Sequence, residues 1–180
     1  MFARTERLTL RPGWTEDAPA LLAAIGHEPV VRNLSRVPWP YTLADAEAFI
    51  AGWTGDAGPT FLIFAHDGGR CDLIGGIGIG PLGDVPHMLG YWLTPSAWGH
   101  GYATEAGRAA LDIAATLGIG RIDAGHYVDN PASGAVLRRL GFVATGTRSM
   151  IHSRGRSMTV ETIDYAIDLS DRHNVPRLAA

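Results

Sequence analysis

The 180 residues predict an α+β (mixed α/β) fold, on three observations. Strand-like runs follow one another between Thr60 and Leu93 with only short turns between them, the pattern of an antiparallel meander. The stretch from Gly101 to Leu117 carries its apolar residues at helical spacing. Strand and helix patterns then alternate to the end, a mixture that neither an all-helical nor an all-strand domain produces.

Arg7-Leu-Thr-Leu-Arg11 alternates polar and apolar residues up to Pro12, as a half-buried strand does. Thr15 opens an alanine- and leucine-rich stretch to Ile25 with acids in its first turn, which predicts a helix capped by Thr15. Beyond Pro38 and Pro40, Thr42 and Asp45 form a cap pair for a second helix, whose Ala46, Phe49, Ile50 and Trp53 recur at helical spacing. The meander follows as Phe61–Ala65, a turn at 67–69, Leu73–Ile79, a turn near Gly83 and Asp84, and Met88–Leu93. In the long helix Ala103, Ala106, Ala110, Ile113, Ala114 and Leu117 make one stripe, small enough to lie close against a sheet. Arg121–Val128 reads as a strand, Ala132–Leu140 as a short helix stopped by Gly141, and Phe142–Thr145 and Thr159–Leu169 as the last strands. Residues 1–170 are expected to form a single domain and 171–180 a loose tail.

Composition removes several classes of function. The net charge is −3 and no basic run stands out, so a grip on nucleic acid through many phosphate contacts is not expected. The longest apolar stretch without charge, Leu73 to Gly83, is broken by glycines and far short of the roughly 18 residues of a membrane span, so no membrane role is expected. Cys71 is the one cysteine, and the histidines show no His-x-x-x-His pair, so neither a disulfide nor a metal site is expected; a reducing cytoplasm fits. All 15 basic residues are arginines. Mechanisms that require a lysine, such as P-loop hydrolysis or a pyridoxal Schiff base, are thereby excluded.

The sharpest local feature is Trp98-Gly99-His100-Gly101-Tyr102-Ala103-Thr104-Glu105, between the last meander strand and the long helix. Two glycines one residue apart at a helix start let successive backbone N–H groups face one anion, and the helix dipole favours negative charge there. A pyrophosphate suits such a loop. A dinucleotide-binding loop is the competitor, with Asp123 downstream, but its glycines sit directly after a strand, and position 104 holds threonine where a third glycine or alanine belongs.

Taken together, Thr5-Glu-Arg-Leu-Thr-Leu-Arg-Pro, Tyr41-Thr-Leu-Ala-Asp-Ala-Glu-Ala-Phe-Ile, Leu89-Gly-Tyr-Trp-Leu, the Trp98 to Ala106 loop, Asn130-Pro-Ala-Ser133 and Leu140-Gly-Phe142 resemble the GNAT superfamily of N-acetyltransferases, in particular its RimJ/RimL-type branch. The resemblance spans residues 4 to 168. It implies a mostly antiparallel sheet flanked by helices on both faces and splayed between its fourth and fifth strands, counting from Arg7–Arg11. Acetyl-CoA would enter the wedge and rest its pyrophosphate on Trp98, Gly99, His100, Gly101, Tyr102, Ala103 and Thr104. The same resemblance implies that the backbone of Trp92, Leu93 and Thr94 pairs with the pantetheine arm, that Asn130 bonds the arm, and that Ser133 stands near the thiol sulfur. Where relatives begin the loop with Gln or Arg, this chain has Ser96, so the phosphate contact would fall to another group such as Arg138 or Arg139.

Moving an acetyl group from a thioester to an amine requires a neutral amine, a stabilised oxyanion and a proton for the departing thiolate. The backbone N–H of Leu93 is the expected oxyanion donor and Ser133 the expected hydroxyl for the thiolate. The tyrosine that other branches carry about seven residues beyond the asparagine is missing, Leu137 standing there. The glutamate that relatives carry before Gly90 is also missing, and the chain reads His87-Met88-Leu89; His87 is the candidate base, with His126 second. Trp39 and Tyr41 are expected to wall the acceptor pocket, and Arg32 and Arg36 to attract an acidic group. The resulting reading is a cytoplasmic enzyme acetylating a protein N-terminus or a small amine by direct transfer, without a metal. It leaves room for a homodimer, although no apolar stripe in the sequence demands one. The rival readings are an idle CoA-binding module and a dinucleotide-dependent oxidoreductase.

Overall fold

The computed structural model describes residues 1–53, 58–67 and 69–170. Its strands are β1 (Ala3–Arg4), β2 (Leu8–Arg11), β3 (Thr60–Asp67), β4 (Arg70–Leu82), β5 (Val85–Leu93), β6 (Arg121–Tyr127), β7 (Val143–Ser153) and β8 (Met158–Asp168). Its helices are α1 (Ala18–Ile25), α2 (Glu28–Val31), α3 (Leu43–Ala51), α4 (Tyr102–Thr116) and α5 (Pro131–Leu140). All eight strands form one sheet in the order β1-β2-β3-β4-β5-β6-β8-β7, and every neighbouring pair is antiparallel except β5 and β6. The expected α+β class and antiparallel meander are both present.

Two cores sit on opposite faces of this sheet. On one, α4 and α5 pack against Leu10, Phe61, Ile63, Ile79, Leu89 and Ile122. Full burial of each such side chain contributes about 2 kcal/mol. Close approach of α4 depends on its small stripe: Ala106, Ala110 and Ala114 are wholly buried, and a Cβ at Gly107 would stand 2.6 Å from Leu140 Cδ1. On the other face α1 and α3 pack against Leu62 and Phe64, with Leu73 and Trp92 at the margin. The α3 cap is the expected one, with Asp45 N–H on Thr42 Oγ1 and Thr42 N–H on Asp45 Oδ2.

Several expectations shift. The 15–25 helix divides into a 3-10 turn, Thr15–Asp17, and α1, and the cap position falls on Trp14, whose N–H donates to Asp17 Oδ2 at 2.7 Å. Strand β7 runs to Ser153, well past the expected Thr145. It is an edge strand, and its residues 143–150 are exposed on both faces, so no alternation marks it. The short elements β1 and α2 carry too few residues for a periodic signal. Cys71 lies exposed on β4. The tail at 171–180 lies outside the described residues.

Candidate active site

Strands β5 and β6 meet only at Met88↔Asp123 and Leu89↔Ala124, and beyond these pairs they part into a wedge. The Thr94 N–H donates to the Ile74 carbonyl at 2.8 Å, which fixes the phase of β5 against β4. Antiparallel alternation therefore turns the backbone groups of Trp92 and Thr94 toward β4, and those of Tyr91 and Leu93 toward the wedge. Of the three residues expected to pair with a ligand's arm, Leu93 alone presents its backbone there. Its carbonyl accepts the Trp98 indole N–H at 2.8 Å, which leaves its N–H facing the wedge.

From β5 the chain passes through a 3-10 turn, Pro95–Ala97, into the glycine loop. Gly99 and Gly101 have φ of 78° and 80°, a left-handed backbone that side chains resist. Gly101 is the cap residue of α4, and no side chain caps this helix. The N–H groups of Thr104 and Glu105 bond the Gly101 carbonyl, so the orphan donors at the helix start are those of Tyr102 and Ala103. An uncapped N-terminus on a 15-residue helix leaves these donors and the helix dipole suited to an anion.

Sequence reasoning missed the cation beside this loop. Arg7 lies with Nη2 2.6 Å from Glu105 Oε2, donates from Nη1 to the His100 carbonyl at 3.0 Å, and stacks over Tyr102 at 4.7 Å. Burial raises the Glu105 pKa, but the Thr5 hydroxyl and Arg7 outweigh it and hold the carboxyl below its ordinary range. Glu105 therefore locks the N-terminal strand onto α4 and orients Arg7. Arg138 donates to the Tyr165 hydroxyl at 3.2 Å and is not part of the cleft wall, whereas Arg139 is.

Across the wedge, Asn130 caps α5 by accepting the Ser133 N–H at 3.3 Å. Ser133 Oγ lies 2.7 Å from the phenolic oxygen of Tyr91, the second residue that sequence reasoning missed. Burial pushes the Tyr91 phenol up to about 12, and the Ser133 hydrogen bond offsets only part of that. A tyrosine hydroxyl is thus present at the serine, supplied by β5 and not by α5.

The residues expected around the acceptor are not all gathered at the cleft. Alternation along β5 puts His87 on the α4 face with Leu89 and Tyr91 and Met88 on the opposite face, and Met88 lines the cleft where His87 does not. His126 is buried beneath α5, with Nδ1 2.8 Å from the Tyr127 carbonyl and Nε2 against Gly134. Trp39 and Tyr41 stand outside the cleft wall, which Val30, Asn33, Leu34 and Ser35 form in their place. Arg32 lies near Glu28 and Asp129, and Arg36 donates to the Pro81 carbonyl, so both guanidinium groups are engaged.

The wedge, the loop and both walls enclose a continuous cleft of about 2120 Å³. Residues 7–143, which carry the loop, the wedge and the Asn130–Ser133 cap, match the acetyltransferase (GNAT) domain. The chain belongs to the GNAT acetyltransferase family. This membership decides against the dinucleotide-dependent reading, even though β5, α4 and β6 do form a parallel strand–helix–strand unit. The chain is 28% identical over 160 residues to an uncharacterised N-acetyltransferase of Bacillus subtilis strain 168, YoaA, covering 84% of this chain and 88% of that one. The fold is similar to that of a GNAT-family acetyltransferase from Bacillus anthracis, with a TM-score of 0.78, 24% identity and coverage of 93% and 98% of the two chains. It is also similar to RimL, the ribosomal L7/L12 α-N-protein acetyltransferase solved with coenzyme A, with a TM-score of 0.75, 21% identity and the same coverage. As a GNAT protein it contains, among the described residues, no group of side chains able to hold a metal ion and no helix long and apolar enough to cross a membrane.

Proposed function

We propose that the protein transfers an acetyl group from acetyl-CoA directly to a primary amine. The observation that carries this reading is the juxtaposition of the open Leu93 N–H with the uncapped start of α4, one suited to an acyl oxygen and the other to a diphosphate. RimL, which shares the fold, was solved with coenzyme A. The N–H groups of Tyr102 and Ala103 and the Arg7 guanidinium form the cradle for the diphosphate, and Asn130 is at hand for the arm.

In the transfer, the amine nitrogen attacks the thioester carbon, the C–S bond breaks, and the proton lost by nitrogen balances the one gained by sulfur. The Leu93 N–H stabilises the oxyanion, a contribution of about 3 kcal/mol when such a donor is preorganised. Ser133 donates its hydroxyl proton toward the leaving sulfur, and the Tyr91 phenol donates to Ser133 from behind. Cys71, exposed on β4 and away from the cleft wall, is no covalent nucleophile.

A thiol-release assay with acetyl-CoA against amines and N-terminal peptides tests the reading. Release that depends on an amine is the expected result. Binding of acetyl-CoA without release for any acceptor would make the protein an idle binding module, and absence of binding would remove the proposal altogether.

A further inference from the structure

We infer that Asp164 anchors a second cationic group of the acceptor, so that the preferred substrates are diamines or other amines with two positive nitrogens. This deepens the transfer reading above and rests on it. Along β8, Ile163 and Tyr165 pack with the α4 and α5 core, and alternation turns Asp164 to the opposite, acceptor-side face, in register with Gly125. The edge strand β7 is built around this side chain. Its pairing jumps from Ala144↔Tyr165 to Arg148↔Ile163, so that Thr145, Gly146 and Thr147 together stand opposite Asp164, with Gly146 at φ 82°. Asp164 Oδ2 accepts from Thr147 Oγ1 at 3.1 Å and Ser149 Oγ at 2.7 Å, and Oδ1 accepts from Thr162 Oγ1 at 3.2 Å.

Every side chain that bonds this carboxylate is a neutral hydroxyl. Asp17, Glu105, Asp123, Asp129 and Glu161 each have an arginine, and Asp164 has no cationic partner among the described residues. A charge fixed in a cleft wall by three hydroxyls and left without a counter-ion is a place for an external cation. The way to it from the wedge is open, because Gly125 has no side chain and a Cβ there would lie 3.7 Å from Asp164 Oδ1. On the same face and lining the same cleft, Tyr127 is only 5% exposed and its hydroxyl has no hydrogen-bond partner among the described residues. Arg121, the nearest cleft arginine on β6, is already paired with Asp123.

Separation identifies which nitrogen binds. Asp164 lies two strands from β5, more than about 10 Å from Leu93 because the wedge opens beyond Leu89, so a cation seated on it is not the nitrogen that attacks beside Leu93 but a second one on the same molecule.

The test is calorimetric titration of the CoA complex with diaminohexane and with hexylamine. The diamine should bind about tenfold or more tightly than the monoamine. Asp164→Asn should bring the ratio near one and leave CoA affinity unchanged. Gly125→Ala, whose added methyl meets its neighbours at ordinary contact distances, should lower the ratio without shifting the thermal midpoint. A ratio near one in the natural protein, or a ratio unchanged in Asp164→Asn, overturns the inference; should that variant fail to fold, an unchanged ratio in Gly125→Ala does so. Failure of the transfer reading is distinguishable, since CoA would then not bind or no thiol would be released, while diamine titration without CoA still reads Asp164.

Discussion

The phenolic oxygen of Tyr91 lies 2.7 Å from Ser133 Oγ, joining β5 to the first turn of α5 across the wedge. Either hydroxyl can donate to the other, and the phenol can also donate to the Ser133 carbonyl at 3.1 Å; the proposed transfer uses the orientation with tyrosine donating to serine and serine donating outward. Ser133→Ala should lower kcat about 100-fold while leaving CoA affinity largely intact. Tyr91→Phe should cost less, and the double variant should fall no further than Ser133→Ala, because both residues act on one proton. Steady-state kinetics with a double-mutant cycle checks this; multiplicative losses would separate the two roles.

The raised Tyr91 pKa gives this pair a pH signature. With the phenol held up to about 12, it stays protonated and able to donate throughout the neutral and mildly alkaline range. Tyr91→Phe should therefore lower the rate by the same factor at about pH 7 and about pH 10, removing no ionisation from the pH–rate profile. A step that vanishes in the variant would show the phenol titrating in that range.

At Gly99 a Cβ would meet nothing within 4 Å, yet φ is 78°. The cost of a side chain there is thus conformational and not steric, roughly 1–2 kcal/mol for alanine. Gly99→Ala should weaken CoA binding about tenfold through the displaced loop amides, and Gly99→Glu should abolish it by adding a like charge to the cradle. Calorimetry on both variants, with the thermal midpoint as control, distinguishes loss of the cradle from loss of the fold.

The loop was legible because its chemistry is local: two glycines at a helix start state both the backbone geometry and the charge preference. The Thr42–Asp45 cap and the small stripe of α4 were readable for the same reason. What the sequence left open depended on phase and on distant partners. One position of alternation separates His87 from Met88, and it decides which of them lines the cleft. Arg7 lies far from the loop in sequence and arrives there through Glu105, and Tyr91 reaches Ser133 only because the sheet and α5 converge. Trp39 and Tyr41 were expected to wall the acceptor pocket, but the cleft wall on that side is formed by α2 and the residues after it.

Arg7 makes a separate prediction about charge. Its guanidinium is held against the loop carbonyl of His100, and in the proposed cradle it would stand in for the basic residue absent at Ser96. Arg7→Ala should weaken CoA binding and flatten its dependence on salt, since one fewer charge then opposes the diphosphate. Arg138→Ala, whose guanidinium is directed at Tyr165, should leave both unchanged. Titrations at low and high ionic strength check the pair of variants.

The Arg11–Asp17 pair governs stability away from the site. Both side chains are largely buried, the two carboxyl oxygens each accept from a guanidinium nitrogen at 2.7 Å, and Arg11 also stacks over Trp14 and Phe64. Burial works to raise the Asp17 pKa, but the bonds from Arg11 and the Trp14 N–H prevail and lower it. Because the folded pKa lies below the unfolded one, the pair's stabilisation is fully present above the unfolded value near 3.9 and is lost as pH falls through the folded value. Asp17→Asn should cost about 3 kcal/mol at neutral pH, leaving Arg11 buried without its counter-ion. At roughly 3 °C per kcal/mol for a chain of this size, Tm should drop by about 9 °C. The gap between natural protein and variant should hold from about pH 7 to about pH 5 and close in more acidic solution, where the natural carboxyl is itself protonated. Thermal unfolding across that range checks it; a gap independent of pH would mean that Asp17 stabilises by packing rather than by charge.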